Sequence, residues 1–181
     1  MAMLDRQRTV QRLVDEHYEA LYRYAYRLSG ARADAEDLTQ EAYLKAQDHL
    51  AQLRDPGRAK PWLFSILRNA YLHRIRSDRQ ERRVPLDEVG DLAEPLPEPL
   101  PAIDPERLQG ALNELPEVFR TPIILYYFED FSYRDIADQM DLPIGTVMSR
   151  LARAKAHLRG RLLPPAPAVL ADGPRRATDG L

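Results

Sequence analysis

The sequence of 181 residues contains no cysteine and no apolar run long enough to span a membrane. Without cysteine the chain can form no disulfide framework, no thiolate-bound zinc or iron–sulfur site and no cysteine nucleophile. The longest apolar stretch covers residues 122–128, whereas a transmembrane helix needs about 20 apolar residues. The N-terminus also lacks the apolar core of a signal peptide. We therefore expect a cytoplasmic protein with no membrane-inserted segment.

The sequence patterns that typify enzymes and cofactor sites are missing as well. The four histidines are scattered, and none has metal-ligand spacing to a second histidine or to a carboxylate. The glycines are isolated, so the sequence offers no Gly-rich phosphate-binding loop. Strand-like alternation of apolar and polar residues is absent throughout. These absences predict an all-α protein that is not an enzyme and that binds no metal or cofactor.

Charge is abundant but unevenly distributed, because a net charge of −2 arises from 26 basic and 28 acidic side chains. Residues 1–83 carry 16 basic and 12 acidic side chains, while residues 84–104 carry six acidic and no basic ones. Residues 68–83 include six arginines, and residues 144–163 hold five basic side chains without an acid. Two basic stretches separated by an acidic one are compatible with nucleic-acid binding, although the pI of the whole chain is only about 6.1.

A proline-rich acidic segment divides the chain into two modules. Residues 84–104 contain five prolines among the six acids, a composition that cannot continue a helix or bury a core. We predict an extended, solvated linker there, which separates modules at 8–83 and 105–163. The Pro- and Ala-rich residues 164–181 are predicted to form a disordered tail.

In the first module, apolar residues recur at helical spacing in three segments. The first helix is predicted to end at residues 29–30. Asp34 is expected to cap the second helix, which should run through Leu53 before a Pro-Gly breaker. The third helix is expected to start near Pro61, a favoured first-turn position, and to continue to about Arg82.

The second module has clearer helix boundaries. Asp104 and Pro116 each open a predicted helix, and residues 132–135 have the arrangement of a capping box with aspartate in place of the usual glutamate. A turn at 141–143 then leads into a longer helix over 144–162. A short capped helix, a tight turn and a longer helix are typical of the helix-turn-helix motif.

The last predicted helix separates its side chains by face. The apolar residues that should face the core are Ile144, Val147, Leu151, Ala154 and Leu158. The opposite side carries short hydroxyls and arginines that suit a DNA groove, namely Thr146, Ser149 and Arg153, with Arg150 beside them. Thr146 could bind phosphate near the helix N-terminus, and Arg153 could pair with guanine. A merely solvated basic face would have the same composition, but the capped helix and turn before it favour DNA binding.

Aromatic and basic side chains interleave over residues 60–76. Aromatic rings can stack on unpaired bases while arginines hold the backbone, and the Asn69 amide suits a base edge. Alternatively, these aromatic residues form the core of a three-helix unit, namely Trp62, Phe64 and Tyr71. Taken alone, the residues favour this second interpretation. The acidic residues 34–41, taken alone, indicate only a solvated helix start.

The order of these segments resembles that of the bacterial extracytoplasmic-function (ECF, group IV) sigma factors. The resemblance covers about 11–83 and 105–163, and its motifs are the acidic stretch 34–41, Pro61–Phe64 with Arg68 and Asn69, the acidic linker, 112–116, 131–137 and 143–155. Each motif is moderately specific, and their ordered conjunction is strong. The resemblance implies two helical domains, a region 2 type of three or four helices and a four-helix region 4 type, joined directly by the linker.

The resemblance further implies a subunit that binds core RNA polymerase and directs it to promoter DNA. The polymerase contacts would come from Asp34, Asp37, Gln40 and Glu41. The third helix and the loop before it would bind the −10 strand through Lys60, Trp62, Arg68, Asn69, His73 and Arg76. Among these, Asn69 would line a pocket for a flipped base. Base extrusion costs a few kcal/mol, which such contacts must offset. The last helix would read the −35 duplex through Ser149 and Arg153, with Arg150 and Lys155 nearer the backbone.

One position departs from the family pattern, which often has arginine where this chain has Met148. On a helical wheel Met148 lies beside the core arc, so packing is one interpretation, and the −35 preference stays open.

The resemblance also implies an anti-sigma factor as a partner and a linker that runs toward the RNA exit path. Two other classes remain as alternatives: a helix-turn-helix regulator that binds duplex DNA independently of polymerase, and a helical protein–protein module.

Overall fold

The computed structural model describes residues 2–81 and 103–163 of the chain. Within those ranges the chain forms seven α-helices and no strand, so the predicted all-α class is confirmed. In the same ranges no helix is both long and apolar enough to cross a membrane. Almost all of the predicted linker and the whole predicted tail lie outside the described residues.

The N-terminal domain consists of three helices, α1 (Ala2–Ser29), α2 (Arg32–Asp48) and α3 (Ala59–Glu81). Two short 3₁₀ turns, Leu50–Gln52 and Pro56–Arg58, connect α2 to α3. Apolar side chains from all three helices are fully buried between them, among them Leu21, Tyr24, Leu38, Leu63, Phe64 and Leu67. This burial stabilises the bundle and leaves the polar helix faces outside.

The C-terminal domain consists of four helices, α4 (Pro105–Glu114), α5 (Glu117–Phe128), α6 (Tyr133–Met140) and α7 (Ile144–Leu162). The predicted helix starts are confirmed. The Asp104 carboxylate accepts a hydrogen bond of 3.1 Å from the Arg107 N–H, and Pro116 precedes α5 as its N-cap. Proline suits such positions because a helix start leaves its N–H groups unpaired in any case.

Two predicted details of the N-terminal domain are wrong. Asp34 is an exposed residue in the first turn of α2, and the N-cap is Ala31, which makes no side-chain cap. The second helix ends at Asp48 and does not reach Leu53, because the chain turns twice in 3₁₀ form and still half-buries Leu53. The third helix begins at Ala59, directly after the second 3₁₀ turn, so its predicted start near Pro61 is confirmed.

The two domains pack against each other where α1 ends. Gly30 adopts a positive φ of 79°, and a Cβ built there would lie 2.7 Å from the side-chain amide of Asn113 on α4. The positive φ favours glycine at this position, and a larger side chain would also displace the Asn113 amide of the other domain. Phe64 and Phe131 meet across the same boundary, with ring centroids 5.2 Å apart.

Candidate nucleic-acid and polymerase interfaces

A helix-turn-helix unit is formed by α6, its following turn and α7. The Ser132 hydroxyl accepts from the Asp135 N–H at 3.1 Å, and the Asp135 carboxylate accepts from the Ser132 N–H at 3.2 Å, so the predicted capping box is confirmed. Asp141 ends α6 in the left-handed conformation, with φ at 54°, and Pro143 then precedes α7. This turn fixes the direction in which α7 leaves the domain.

The buried face of α7 agrees with the predicted core stripe except at its first residue. Val147 and Ala154 are fully buried and Leu151 nearly so, but Ile144 is 43% exposed. Ile144 is the first residue of α7, so no earlier turn of this helix lies against its side chain. The prediction that Ile144 belongs to the core is therefore wrong.

The opposite face of α7 carries the predicted DNA contacts. Ser149 is exposed, and its hydroxyl donates to the Thr146 carbonyl at 3.0 Å. Met148 is 52% exposed, so it contributes to the surface and does not pack into the core. The remaining predicted contacts are all half-buried: Thr146, Arg150, Arg153 and Lys155. Partial burial lowers the pKa of the Lys155 ammonium, and the neighbouring charge of Arg159 lowers it further.

The predicted −10 residues of α3 separate into two groups. Asn69, His73 and Arg76 are exposed, whereas Lys60, Trp62 and Arg68 are half-buried. Of the interleaved aromatic residues, Phe64 is fully buried and Tyr71 is 8% exposed. Those two rings are core, as the alternative interpretation had it, and only Trp62 remains partly accessible.

A groove of about 320 Å³ adjoins the Trp62 ring. Arg54, Trp62 and Ser65 line it from the N-terminal domain, and Asp135 and Asp138 line it from α6. An aromatic ring beside arginine suits a nucleobase, but the two carboxylates repel its phosphates. The groove therefore has one wall that favours nucleic acid and one that disfavours it.

Three cationic side chains around the start of α3 each face a carboxylate of the C-terminal domain. Arg68 donates to Glu117 at 3.2 Å, and Arg58 lies 4.0 Å from Asp138. The Lys60 ammonium donates to the backbone carbonyl of Glu129 at 2.6 Å and lies 4.0 Å from its carboxylate. No motif in the sequence identified these partners, although the acids of the second module were visible as a cluster.

Glu129 occupies an unusual position for a carboxylate, because its side chain is 1% exposed. Burial raises the pKa of Glu129, while the nearby charges of Lys60, Arg23 and Arg27 act in the opposite direction. Arg27 itself lies 3.9 Å over the Phe128 ring, and burial lowers the pKa of its guanidinium. The domain boundary thus encloses charged groups that are partly desolvated.

The predicted polymerase contacts lie along α2. Asp34, Asp37 and Gln40 are exposed, but Glu41 is half-buried and forms ion pairs with Lys45 at 2.7 Å and with Arg74 at 3.2 Å. Hydrogen bonding from Lys45 is the main reason why the pKa of Glu41 is lowered. Glu41 therefore fastens α3 to α2 as well as adding negative charge to this surface.

One further residue of the same surface was not predicted from the sequence. Leu44 is 65% exposed on α2, and it follows Asp37 by seven positions and Gln40 by four, which places the three on one helix face. The signal in the sequence is a single large apolar residue at helical spacing from polar residues, on a helix face that is otherwise polar. Large exposed apolar residues beside charged ones are common in protein–protein interfaces.

The fold and these surfaces define a two-domain helical protein with the features of a nucleic-acid-binding factor. The family descriptions Sigma-70 region 2 and Sigma-70, region 4 match residues 13–81 and 106–158, respectively. The ECF RNA polymerase sigma factor SigL of Mycobacterium tuberculosis is 37% identical, over 81% of this chain and 85% of its own length. The chain therefore belongs to the ECF RNA polymerase sigma factors.

Other relatives agree with that assignment. SigE of Mycolicibacterium smegmatis is 37% identical over 83% of this chain, which spans only 60% of the SigE sequence. SigM of Bacillus subtilis is 28% identical over 83% of this chain and 93% of its own length. Because the N-terminal domain matches sigma region 2, a polymerase-independent regulator is not favoured.

Two solved structures share the fold. The sigma factor RpoE of Bartonella quintana, solved with the anti-sigma factor NepR, superposes with a TM-score of 0.68 at 30% identity, over 83% of this chain and 94% of that one. CnrH, solved with the cytosolic domain of CnrY, has a TM-score of 0.62 at 25% identity, over 85% of this chain and 87% of that one.

Proposed function

We propose that this chain binds core RNA polymerase through α2 and divides promoter recognition between α7, which reads duplex −35 DNA, and α3, which holds the −10 single strand. The observation that carries the proposal is the presence of two separate DNA-compatible surfaces on two domains. Ser149 is exposed on α7, and Asn69 is exposed on α3. The chain acts by binding and supplies no bond-making step of its own. It works in the cytoplasm, where the polymerase and the promoter are.

The assignment of α7 to duplex DNA rests on its shape and its charge. Its core side is sealed by Val147 and Ala154, so only the outward face can enter a major groove. Ser149 is small and hydroxylated, and Arg153 follows it by one turn. Arg153 would pair with a guanine edge, while Thr146, Arg150 and Lys155 contact phosphates.

The assignment of α3 to an opened strand rests on the exposed residues past Trp62. Asn69 presents both a donor and an acceptor to a base edge, and His73 and Arg76 continue the same exposed surface. Lys60 and Arg68 would hold the strand by its phosphates, and Trp62 offers a ring for stacking. An α-helix of this kind reads unpaired bases, which expose the edges that a duplex hides.

The assignment of α2 to polymerase rests on an exposed acidic surface with one apolar residue. Asp34, Asp37, Gln40 and Glu41 supply its polar groups, and Leu44 supplies an apolar contact. We further propose an anti-sigma factor as a partner, because the similar sigma factor RpoE is described in complex with the anti-sigma factor NepR. Such a partner would hold the protein away from the polymerase until a signal arrives.

Transcription in vitro tests the proposed function. Purified chain and core polymerase are combined on a genomic DNA library, and the 5′ ends of the transcripts are mapped. We expect start sites that require the chain and share a −35 and a −10 sequence. Core polymerase alone provides the background. Start sites without a common upstream sequence, or none that depend on the chain, would refute the proposal.

Arg153→Ala is expected to reduce discrimination between the correct −35 sequence and a mismatched one by about 1–3 kcal/mol, because it removes a bidentate base contact. Competition binding of duplex −35 fragments to the reconstituted holoenzyme measures this difference. Arg159→Ala serves as the control, since it removes the same charge from an exposed position of α7 off the outward face. An equal loss on all sequences would make Arg153 a phosphate contact.

Asn69→Ala is expected to slow open-complex formation at least about tenfold while leaving closed-complex affinity unchanged, because the lost contacts form only with the flipped base. Stopped-flow fluorescence of a promoter labelled near the −10 element measures the isomerisation rate. Gln11→Ala removes another exposed amide, on α1, and should leave the rate unchanged. A wild-type rate for Asn69→Ala would exclude the residue from strand capture.

A further inference from the structure

Two of the cations that are proposed to hold the −10 strand, Lys60 and Arg68, lie against carboxylates of the C-terminal domain, and the neighbouring Arg58 does so as well. We call Arg58, Lys60 and Arg68 the basic edge, and Glu117, Glu129 and Asp138 the acidic edge. We propose that the acidic edge takes the place of DNA phosphates on the basic edge, so that the closed arrangement of the two domains excludes the −10 strand. This inference rests on the proposed function and adds regulation to it.

The pairing is strongest where it is most buried. The side chains of Arg68 and Glu117 are 13% and 11% exposed, so solvent screens their attraction little. Glu117 also accepts from the Thr121 hydroxyl at 2.9 Å, which fixes the carboxylate toward Arg68. Arg58 and Asp138 are both 62% exposed, and their pairing contributes little by itself.

The apolar and backbone contacts beside the ion pairs show that closure is a packed interface. Phe131 rests on Phe64, and the Lys60 ammonium lies 5.4 Å from the Phe131 ring. Arg120 on α5 donates to the Leu28 carbonyl at 2.7 Å. A strand of DNA cannot reach Arg68 while these contacts hold, because Glu117 and its helix cover the guanidinium.

The acidic edge also alters the surface that stays open. Asp135 and Asp138 form one wall of the groove at Trp62, where a strand would have to pass. Their negative charge repels phosphates at close range. Asn69, His73 and Arg76 remain exposed beyond the edge, so the closed form keeps part of the strand surface but loses its inner cations. Opening of the domains would restore the complete surface.

The double variant Glu117→Gln/Glu129→Gln tests the proposal, because it neutralises the two buried members of the acidic edge and keeps their shapes. We expect the full chain to expand in small-angle X-ray scattering. We also expect its affinity for a fluorescein-labelled single-stranded DNA of mixed sequence to rise by about tenfold or more. Circular dichroism checks that the helices are retained.

Glu106→Gln/Glu114→Gln is the matched control. It removes the same two charges from exposed positions of the same domain, where Glu114 pairs with His157 and Arg161 of α7. This control should stay compact and bind the strand nearly as the wild type does. An equal gain in both double variants would reflect net charge alone and would overturn the proposal. Expansion without tighter binding, or no expansion, would overturn it too.

A charge exchange at the most buried pair provides a test that does not use DNA. Arg68→Glu should expand the chain, and Arg68→Glu/Glu117→Arg should make it compact again, because the second change restores an opposite-charge pair. The same dimensions in all three proteins would overturn the proposed role of the pair. Because scattering needs neither promoter nor polymerase, failure here is distinguishable from failure of the transcription experiment.

Discussion

Phe64→Ala is expected to lower the free energy of unfolding of the N-terminal domain by about 3–5 kcal/mol. Phe64 is fully buried on α3, stacks on Tyr24 of α1 with ring centroids 4.7 Å apart, and touches Phe131 of the other domain. Truncation removes the ring from the centre of the domain and leaves a cavity that the surrounding helices can only partly close. The same change removes an apolar contact between the domains.

Urea unfolding followed by tryptophan fluorescence measures this loss selectively. Trp62 is the single tryptophan of the chain, so its emission reports the N-terminal domain. Leu44→Ala is the control, because it truncates a large apolar side chain of the same domain that is 65% exposed. We expect the control to change stability by no more than about 0.5 kcal/mol. A loss below about 1 kcal/mol for Phe64→Ala would contradict its central place in the core.

Helix existence was predictable because apolar periodicity and local capping act within a few residues. The capping box at Ser132 and the starts at Asp104 and Pro116 depend only on neighbouring backbone groups, and each is where the sequence predicts it. The end of α2 was not predictable in this way. Leu53 is half-buried although it follows a 3₁₀ turn and not a helix. Its helical spacing from the apolar residues before it therefore did not show where α2 ends.

The outward face of α7 was largely predictable because it is the complement of a core stripe. The error at Ile144 arises at the first turn, where the depth of burial depends on which helices lie alongside and not on angular position alone. Met148, for which packing was one of two interpretations, is exposed one turn later. A helical wheel assumes uniform surroundings, whereas Ile144, Gly145 and Met148 at the start of α7 are all exposed.

The pairing of the two domains was beyond sequence reasoning. Composition showed acids in the second module and arginines around α3, but charge totals do not say which carboxylate meets which guanidinium. Glu117 and Arg68 are 49 positions apart. Their contact depends on how α5 and α3 cross, which follows from the packing of Phe131 and Asn113 against the N-terminal domain. Long-range pairs of this kind are fixed by tertiary structure, and either partner alone is an ordinary surface charge.

Arg120→Ala is expected to destabilise the C-terminal domain by about 3–4 kcal/mol and to uncouple it from the N-terminal domain. The guanidinium donates to the carbonyls of Asn113 and Leu115 at the end of α4, at 2.7 Å and 2.8 Å, and to Leu28 near the end of α1 at 2.7 Å. Carbonyls at helix ends have no partner within their own helix. Alanine leaves the partly buried carbonyls of Leu115 and Leu28 without this donor, one in each domain.

Urea unfolding followed by two probes resolves the two consequences. Trp62 fluorescence reports the N-terminal domain, and far-UV circular dichroism reports the helices of both. We expect coincident transitions in the wild type and, in Arg120→Ala, an earlier loss of ellipticity that precedes the main fluorescence transition. Arg134→Ala removes an exposed arginine of α6 and should shift neither transition by more than about 0.5 kcal/mol. Coincident transitions at the wild-type midpoint would mean that Arg120 does not couple the two domains. Separate transitions would show that one side chain couples the domain proposed to read duplex DNA to the domain proposed to hold the opened strand.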